Sequence, residues 1–250
     1  LQAFVGGNGL AGDALERSLY VARKQIDRRR RERRRDDERC YLASLSCRTV
    51  VYKGMLMGGQ VARFYRDLAD PDYRSALAVV HQRYSTNTFP SWELAQPFRC
   101  LAHNGEINSL RGNVRKMEAR EGALGRGLLG DDAARILPVI EPGGSDSAAL
   151  DNALELLLRG GRDLPHAMMM LMPQAWGGHY PLGPDQRGFF EYHAGLMEPW
   201  DGPAAVAFSD GEVVGAMLDR NGLRPARYTR TRDGFVVLAS DSGVVDLPPD

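Results

Sequence analysis

The sequence predicts an α+β fold in which two sheets form a sandwich enclosed by helices. Three observations support this prediction: apolar runs end in polar residues, helical stretches carry capping residues, and two Asp-Gly pairs near the C-terminus indicate hairpins. The 250 residues are enough for one large domain with a sizeable core.

Composition excludes several classes of protein. The hydrophobic content of 43% is ordinary for a globular protein, and 32 basic residues balance 32 acidic ones, so the whole chain has no bias toward nucleic acid or membrane. Apolar runs such as residues 167–172 are too short to span a bilayer, and no secretory signal begins the sequence. The three cysteines, an odd number, argue against a disulfide framework. We therefore expect a cytoplasmic protein with no nucleic-acid or membrane partner.

The N-terminal part predicts an amphipathic helix over residues 13–39 that ends in a solvated, mixed-charge segment. The arginine-rich residues 28–35 suggest nucleic-acid contact as an alternative, but Glu32 and the acidic residues that follow neutralise this charge locally. We accordingly treat residues 1–40 as a helical, charged lead-in and residues 41–250 as the core of the same domain.

The next elements are predicted from short apolar runs. Residues 41–53 indicate one or two strands, and residues 58–68 a short helix. Residues 76–80 and 98–102 indicate two further strands, each of which leads into a group of polar residues. Polar groups at strand ends are a common way for such folds to display chemistry.

Two helices have clear boundaries in the sequence. Asn108 or Ser109 can cap a helix that Gly122 ends, and its apolar positions fall at helical spacing. The clearest helix spans residues 145–158: it starts with capping residues, carries a leucine stripe, and stops at two glycines. Asp146 is therefore expected near the N-terminus of this helix.

The last part of the chain carries two hairpin signals. Apolar runs flank Asp210-Gly211, and a second pair of runs flanks Asp233-Gly234. An Asp-Gly pair between apolar runs is one of the strongest local indications of a β-hairpin.

The polar groups after residues 80 and 102 suggest a site for a carboxylated substrate. Arg83 offers a planar fork of donors that suits a carboxylate. Asn104 and the Gly105 N–H offer two donors that suit a developing oxyanion. The chemistry that these residue types favour is acyl transfer.

The residues around this site resemble a known family. The segments HQRYSTNTFPSW and AQPFRCLAHNGEINSLRGN are similar to the glutaminase domain of the glutamate synthase large subunit family, within the class II glutamine amidotransferases of the N-terminal nucleophile hydrolase superfamily. The resemblance continues through residues 142–176, 192–208 and 218–228, and it covers most of the chain from about Tyr41 onward. It implies a four-layer αββα sandwich, which the pattern alone does not specify.

The resemblance also implies roles for individual residues. Arg83 matches the family arginine that binds the α-carboxylate of glutamine, and Asp146 matches the aspartate that pairs with the α-ammonium group. Asn104 and Gly105 match the oxyanion hole. We expect three neighbours of these groups to shape or line the pocket: Thr86, Asn87 and Glu106.

The nucleophile of the family is an N-terminal cysteine whose own α-amine serves as base, whereas this sequence starts with Leu1. We expect this cysteine to lie upstream, so that the sequence is a fragment of the domain, incomplete at its N-terminus and inactive alone. Cys100 is three residues from His103, and an odd separation on a strand makes the pair a poor dyad. We expect Cys47 and Cys100 to be small, buried apolar residues.

The resemblance implies partners and cofactors as well. It implies ammonia transfer through a tunnel to downstream synthase domains, where 2-oxoglutarate is reductively aminated to glutamate. It implies FMN and a 3Fe–4S cluster in those domains, and a small NADPH-oxidising subunit that contains FAD. No cofactor and no metal site is expected in the present segment.

Two alternatives stay open at this point. One is a different class II amidotransferase, serving phosphoribosylamine, glucosamine or asparagine synthesis. The other is a relative without a nucleophile that binds glutamine or glutamate as a sensor or scaffold, since Arg83 and Asp146 would bind an amino acid equally well without catalysis.

Overall fold

A computed structural model describes residues 1–33, 40–83, 88–125, 127–176 and 181–246 of the chain. Its helices are α1 (Gly12–Glu32), α2 (Gly58–Phe64), α3 (Leu110–Glu121), α4 (Asp146–Arg159), α5 (Leu164–Leu171) and α6 (Pro184–Ala194). Its strands are β1 (Leu101–Gly105), β2 (Ala204–Ser209), β3 (Val214–Leu218), β4 (Arg227–Arg230) and β5 (Val236–Ala239). Two 3₁₀ segments cover Arg66–Ala69 and Gly127–Ile136.

The strands described form two antiparallel sheets. The first has the order β1-β2-β3, with Gly105 opposite Ala204 and Leu101 opposite Phe208. The second is the hairpin of β4 and β5. This mixture of helices and antiparallel sheets agrees with the predicted α+β class, while the four-layer arrangement stays a prediction.

The core is built around α4, which packs against β1, α1, α3 and α5. Leu150, Ala153 and Leu154 on this helix are completely buried, and Trp200 and Ala204 are buried against the same core. The leucine stripe predicted from the sequence is therefore the face that α4 turns toward the sheet and its neighbouring helices.

The N-terminal helix is part of this core. Tyr20 and Val21 of α1 belong to the same apolar cluster as α4. Beside them, Arg23 pairs with Asp27 and with Glu155 of α4, and all three side chains are buried. The end of α1 also pairs with acids: Arg28 contacts Glu32, Arg30 contacts Glu93, and Arg31 contacts Glu141. The predicted mixed-charge segment that follows falls largely outside the described residues.

The elements with strong local signals are confirmed. The N-cap of α4 is Ser145, whose Oγ accepts the N–H of Ala148, and the helix ends at Gly160. Ser109 occupies the N-cap position of α3 without a capping hydrogen bond from its side chain, and Gly122 follows the helix. Both predicted hairpins are present, and α2 with the 3₁₀ segment Arg66–Ala69 replaces the single helix predicted for residues 58–68.

Three predicted strands need correction. Residues 41–53 and 76–80 run as irregular chain. Their apolar side chains are poorly covered, since Val50 is 57% and Val80 is 82% exposed, and a short apolar run forms a strand only where a neighbour pairs with it. The strand predicted at 98–102 instead starts at Leu101, because the N–H of Cys100 donates to Asp151 Oδ1 at 2.8 Å and is unavailable to a ladder.

Two helices were not predicted. The first, α5, is almost uniformly apolar, yet Asp163 caps it by accepting the N–H of His166, and Pro165 stands in its first turn. The second, α6, begins with Pro184 and ends at Gly195. In the described part of the chain, no helix combines the length and the apolar character needed to cross a membrane.

Candidate functional site

The site lies at the C-terminal end of β1, where the backbone requires a glycine. Gly105 has φ = +133°, and a Cβ atom there would stand 1.8 Å from the carbonyl oxygen of Pro203. Any side chain at this position would collide with backbone, which cannot move aside easily. The identity of Gly105 is therefore fixed by the close approach of β1 to the residue that precedes β2.

The hydrogen-bond pattern directs the Gly105 N–H away from β2. Glu106 N donates to Pro203 O at 3.0 Å, which makes this a hydrogen-bonded position of the ladder. Because such positions alternate with non-bonded ones in an antiparallel pair, Gly105 and Ala204 form a non-bonded pair. Both backbone groups of Ala204 are instead bound by Asp219. The Gly105 N–H therefore faces the outer edge of β1.

The same edge is covered two residues earlier by Gln96. Its amide Nε2 donates to His103 O at 3.0 Å, and its Oε1 accepts from His103 N at 2.8 Å. The Gln96 side chain thus replaces a neighbouring strand at His103. The cover by Gln96 stops at His103, and among the described residues no group accepts the Gly105 N–H, so this part of the chain leaves the edge open where the two predicted oxyanion donors lie.

Asn104 projects from the opposite face of the sheet to His103, because successive side chains alternate along a strand. Its Nδ2 donates to Ser240 Oγ at 3.0 Å, and its Oδ1 accepts from Nη2 of Arg224. Ser240 Oγ in turn donates to Asp241 Oδ2 at 2.7 Å. The amide of Asn104 is thereby held between a cation and a hydroxyl group.

Asp146 lies on the His103 side of the sheet and is almost completely buried, at 1% exposure. Its Oδ2 accepts the N–H of Ile107 at 2.9 Å, and its Oδ1 accepts the N–H of Ser147 at 2.8 Å. An anion at this place is also favoured by the N-terminus of α4. Asp146 therefore fixes the segment that follows Gly105 through its hydrogen bond with the N–H of Ile107.

Two histidines connect the remaining site residues, and both favour the neutral form. Burial lowers the pKa of His103 despite the attraction of Asp146, and its Nε2 lies 2.8 Å from Ser147 Oγ. Burial also lowers the pKa of His81, against hydrogen bonds to the backbone of Arg83 and His103. These contacts bring the segment of Arg83 next to β1. Both histidines act here as hydrogen-bonded structural groups.

The side chain of Arg83 is exposed, and its backbone N–H donates to His81 Nδ1 at 3.1 Å. Across the described ranges, no acid lies within ion-pair distance of its guanidinium group, which leaves this cation available for an external carboxylate. Glu106 is likewise exposed, directly after Gly105. Thr86 and Asn87, the other predicted lining residues, lie outside the described residues.

The cysteines do not join this site. Cys100 is buried, and burial raises the pKa of its thiol well above the ordinary value. Cys47 is exposed, so the prediction that it is buried is wrong: its N–H is held by Glu16 at 2.6 Å in a surface turn. The pKa of Cys47 is also raised, because neighbouring groups partly remove the thiol from water and the carboxylate of Glu16 lies beside it. In the part of the chain described, no contact joins either thiol to Asn104 or Gly105.

The arrangement offers two neutral hydrogen-bond donors at an open strand edge and an exposed cation close by. Donors fixed in advance in this way stabilise a negative charge that develops on oxygen. Sequence reasoning missed four residues that create the geometry: Gln96, Asp219, Arg224 and Ser240. Local signals for them were weak, because each acts on a residue that is remote in the chain or across a loop.

Comparison with known proteins agrees with this chemistry. A family model described as "Glutamine amidotransferases class-II" matches residues 1–250. The chain is 49% identical over 248 residues to the glutamate synthase [NADPH] large chain of Bacillus subtilis, covering 98% of this chain and 16% of the relative. It is 50% identical over 243 residues to ferredoxin-dependent glutamate synthase 2 of Synechocystis, covering 96% of this chain and 15% of the relative.

A third relative is the glutamate synthase [NADH] of Schizosaccharomyces pombe, 48% identical over 239 residues, which are 95% of this chain and 11% of the relative. The chain thus spans about a sixth or less of the length of these curated relatives.

Proposed function

This chain belongs to the class II glutamine amidotransferases, and from that premise we propose that it is the glutamine-hydrolysing domain of a glutamate synthase. The observation that carries the proposal is the open edge at the end of β1. There, Gly105 has a conformation and a close approach that only glycine permits, and its N–H faces away from β2 beside the fixed amide of Asn104.

In the proposed reaction, a thiolate attacks the side-chain carbonyl carbon of glutamine and forms a tetrahedral intermediate with a negative oxygen. Asn104 Nδ2 and the Gly105 N–H donate to this oxygen. The C–N bond then breaks, and ammonia leaves with the proton that the base had taken from the thiol. Water hydrolyses the thioester to glutamate and releases the thiol. Arg83 binds the α-carboxylate of glutamine, a role that its exposed guanidinium group supports.

We assign the α-ammonium group of glutamine to Asp146, and the lining of the pocket to Thr86, Asn87 and Glu106. The buried carboxylate of Asp146, bound to Ile107 N, lies behind the end of β1 and adds negative charge there. The attacking thiol is proposed to come from outside residues 1–250, because among the described residues neither Cys47 nor Cys100 contacts Asn104 or Gly105, and Cys100 is buried as well.

The wider function is proposed from the three relatives described above, each of which is a glutamate synthase. We propose that ammonia released here passes to synthase domains of the same protein and aminates 2-oxoglutarate. By the same resemblance to glutamate synthases, we assign FMN and a 3Fe–4S cluster to those domains. We also propose that a small partner subunit carries FAD and oxidises NADPH. The domain itself is proposed to be a four-layer αββα sandwich in a cytoplasmic protein.

The test uses the full-length protein that carries this sequence. Asn104→Ala is expected to lower the kcat of glutamine hydrolysis by about 10²–10³, as loss of one oxyanion donor does elsewhere. Glutamate formation from 2-oxoglutarate and added ammonia should persist, because it bypasses this site. Asn108→Ala, at an exposed position three residues past Gly105, is the matched control and should behave like the wild type.

Unchanged glutamine hydrolysis in Asn104→Ala would overturn the proposal. A protein that binds glutamine with a dependence on Arg83, yet releases neither glutamate nor ammonia, would instead identify an amino-acid sensor. Loss of glutamine-dependent and ammonia-dependent turnover together would also count against the assignment, because the damage would not be specific to the glutaminase step.

A further inference from the structure

The amide of Asn104 is oriented by a set of residues that lies far away in the chain. Arg224, 120 residues later, donates from Nη2 to Asn104 Oδ1 and from Nε to Asn104 O at 3.5 Å. Ser240, 136 residues later, accepts from Asn104 Nδ2 at 3.0 Å. These two contacts lie on opposite sides of one amide group.

The contact with Arg224 determines the orientation of the Asn104 side-chain amide. A guanidinium group carries only donors, so the atom of Asn104 that contacts it must be the carbonyl oxygen. The amino group is therefore turned toward Ser240. Nδ2 has two hydrogens, and among the described residues it donates only to Ser240, which leaves the other hydrogen for a ligand.

The hydrogen bonds also run in one direction, from a cation to an anion. Arg224 donates to Asn104, Asn104 donates to Ser240, and Ser240 donates to Asp241. Hydrogen bonds linked in this way polarise one another. The positive charge of Arg224, next to Asn104 Oδ1, withdraws electrons from the amide and makes the Nδ2 hydrogens better donors.

Asp219 holds Arg224 in place. Its carboxylate accepts the N–H groups of Asn221, Leu223 and Arg224, at 3.0 Å each. It also accepts the N–H of Ala204, the residue opposite Gly105, at 3.1 Å. Burial opposes ionisation of Asp219, but these backbone hydrogen bonds prevail and lower its pKa. One buried anion thus ties the loop that carries Arg224 to the strand beside Gly105.

We propose that Arg224 is a positioning residue for the glutaminase reaction: it holds the Asn104 amide so that an N–H, rather than the carbonyl oxygen, is presented to the developing oxyanion. The inference rests on the proposed function and deepens it. Without Arg224, the amide can rotate by half a turn and present an oxygen, which repels the intermediate that the site has to stabilise.

The experiment compares Arg224→Met, Arg224→Lys and the control Arg227→Met in the full-length protein, with Arg227 chosen because it is exposed on β4. Arg224→Met should lower the kcat of glutamine hydrolysis by about 10-fold or more, and by less than Asn104→Ala does. KM should change little, because Arg224 acts on the transition state. Arg224→Lys should recover part of the loss, since an ammonium group also donates to Oδ1. Arg227→Met should resemble the wild type.

The double variant Asn104→Ala/Arg224→Met separates positioning from direct action. If Arg224 acts through Asn104, the double variant should be no slower than Asn104→Ala alone. A further loss in the double variant, or a normal kcat in Arg224→Met, would refute the positioning role. If Asn104→Ala itself leaves hydrolysis intact, the proposed function fails, and this outcome is distinct from failure of the role of Arg224 alone.

A local collapse of the loop is tested with Ser240→Ala, which removes one hydroxyl group and keeps Arg224. It should lower kcat less than Arg224→Met, because the guanidinium group still determines the orientation of the amide. Ammonia-dependent turnover should be unchanged in every variant. If Ser240→Ala costs as much as Arg224→Met, the orientation does not depend on the cation and the inference is wrong.

Discussion

Two polar networks in this molecule use the same residue types for different purposes. The first, the ionic seam that joins α1 to α4 and to the segment just before α4, consists of Arg23, Lys24, Asp27, Glu141 and Glu155. The second, the network at the end of β1, consists of Asn104, Arg224, Ser240 and Asp219. Both contain buried charges, yet only the second leaves groups directed at an open edge.

In the ionic seam the charges satisfy one another. Arg23 contacts both Asp27 and Glu155, while Lys24 contacts Glu141 and the carbonyl groups of Pro138 and Val139. Burial lowers the pKa of Lys24 to about 7. A strongly shifted pKa often marks a functional site, but here its cause is burial of the ammonium group where α1 packs against residues 138–141.

At the end of β1 some donors have no acceptor among the described residues. The Asn104 amide keeps an N–H for a ligand, the Gly105 N–H faces outward, and Arg83 is exposed. The comparison teaches that unsatisfied donors at an accessible edge, rather than buried charge, distinguish the site from the scaffold.

The largest expected effect is in the ionic seam. Glu155→Ala leaves Arg23 buried with Asp27 as its one remaining ion-pair partner among the described residues, and removing one member of a buried pair costs about 3–5 kcal/mol. Hydrogen exchange in the full-length protein should show peptides of α1 opening faster by a corresponding factor. Glu118→Ala, at an exposed pair with Arg115, is the control. Exchange in α1 that matches the wild type would mean that the seam does not hold this helix.

The next effect sharpens the other side of the comparison. Gly105→Ala forces a Cβ into Pro203 O at a strained φ, with an expected strain of about 1–3 kcal/mol. Glutamine hydrolysis should fall strongly, whereas exchange in α1 should stay as in the wild type. Gly112→Ala on α3, where the added methyl group meets nothing, should instead stabilise by about 0.5–1 kcal/mol. Normal hydrolysis in Gly105→Ala would contradict the geometry at β1.

A smaller effect concerns pH. Lys24 has a pKa of about 7 in the folded chain and 10.5 as its ordinary value, so between these limits the unfolded chain binds more protons. Stability of α1 should therefore rise with pH across this window, by at most about 1.4 kcal/mol per pH unit. Lys24→Met should flatten this dependence, while Lys116→Met at an exposed position should not. Millisecond-labelling hydrogen exchange measures the stability of α1 at each pH. If stability depends on pH equally in the wild type and in Lys24→Met, Lys24 is not the cause.

The smallest effect lies on the same helix, outside the seam. Arg28 pairs with Glu32 at 2.9 Å, with both side chains more than half exposed. An exposed pair of this kind contributes about 0.5 kcal/mol or less. Arg28→Ala should therefore leave exchange in α1 within that range. A loss comparable to that of Glu155→Ala would erase the distinction between buried and exposed pairs.

Local signals explain which elements could be predicted. Helix α4 has a cap at Ser145, a leucine stripe and a terminal glycine, and both Asp-Gly hairpins carry their own turn chemistry. Residues 41–53 and 76–80 have apolar character but no pairing strand among the described residues, and that character alone misled the prediction. Helix α5 is apolar on all sides, which hides its period from a pattern search.

The sequence by itself determined the family, the α+β class and the short-range parts of the site: Asn104 and Gly105 are adjacent, and their residue types favour an oxyanion. Only the tertiary structure decided which way these donors face. Arg224 and Ser240, from distant segments, orient the Asn104 amide, and the register of β1 on β2 turns the Gly105 N–H outward. Hydrogen bonds between residues more than 100 positions apart leave no periodic or spacing signal, because the folded chain alone brings their donors and acceptors within reach.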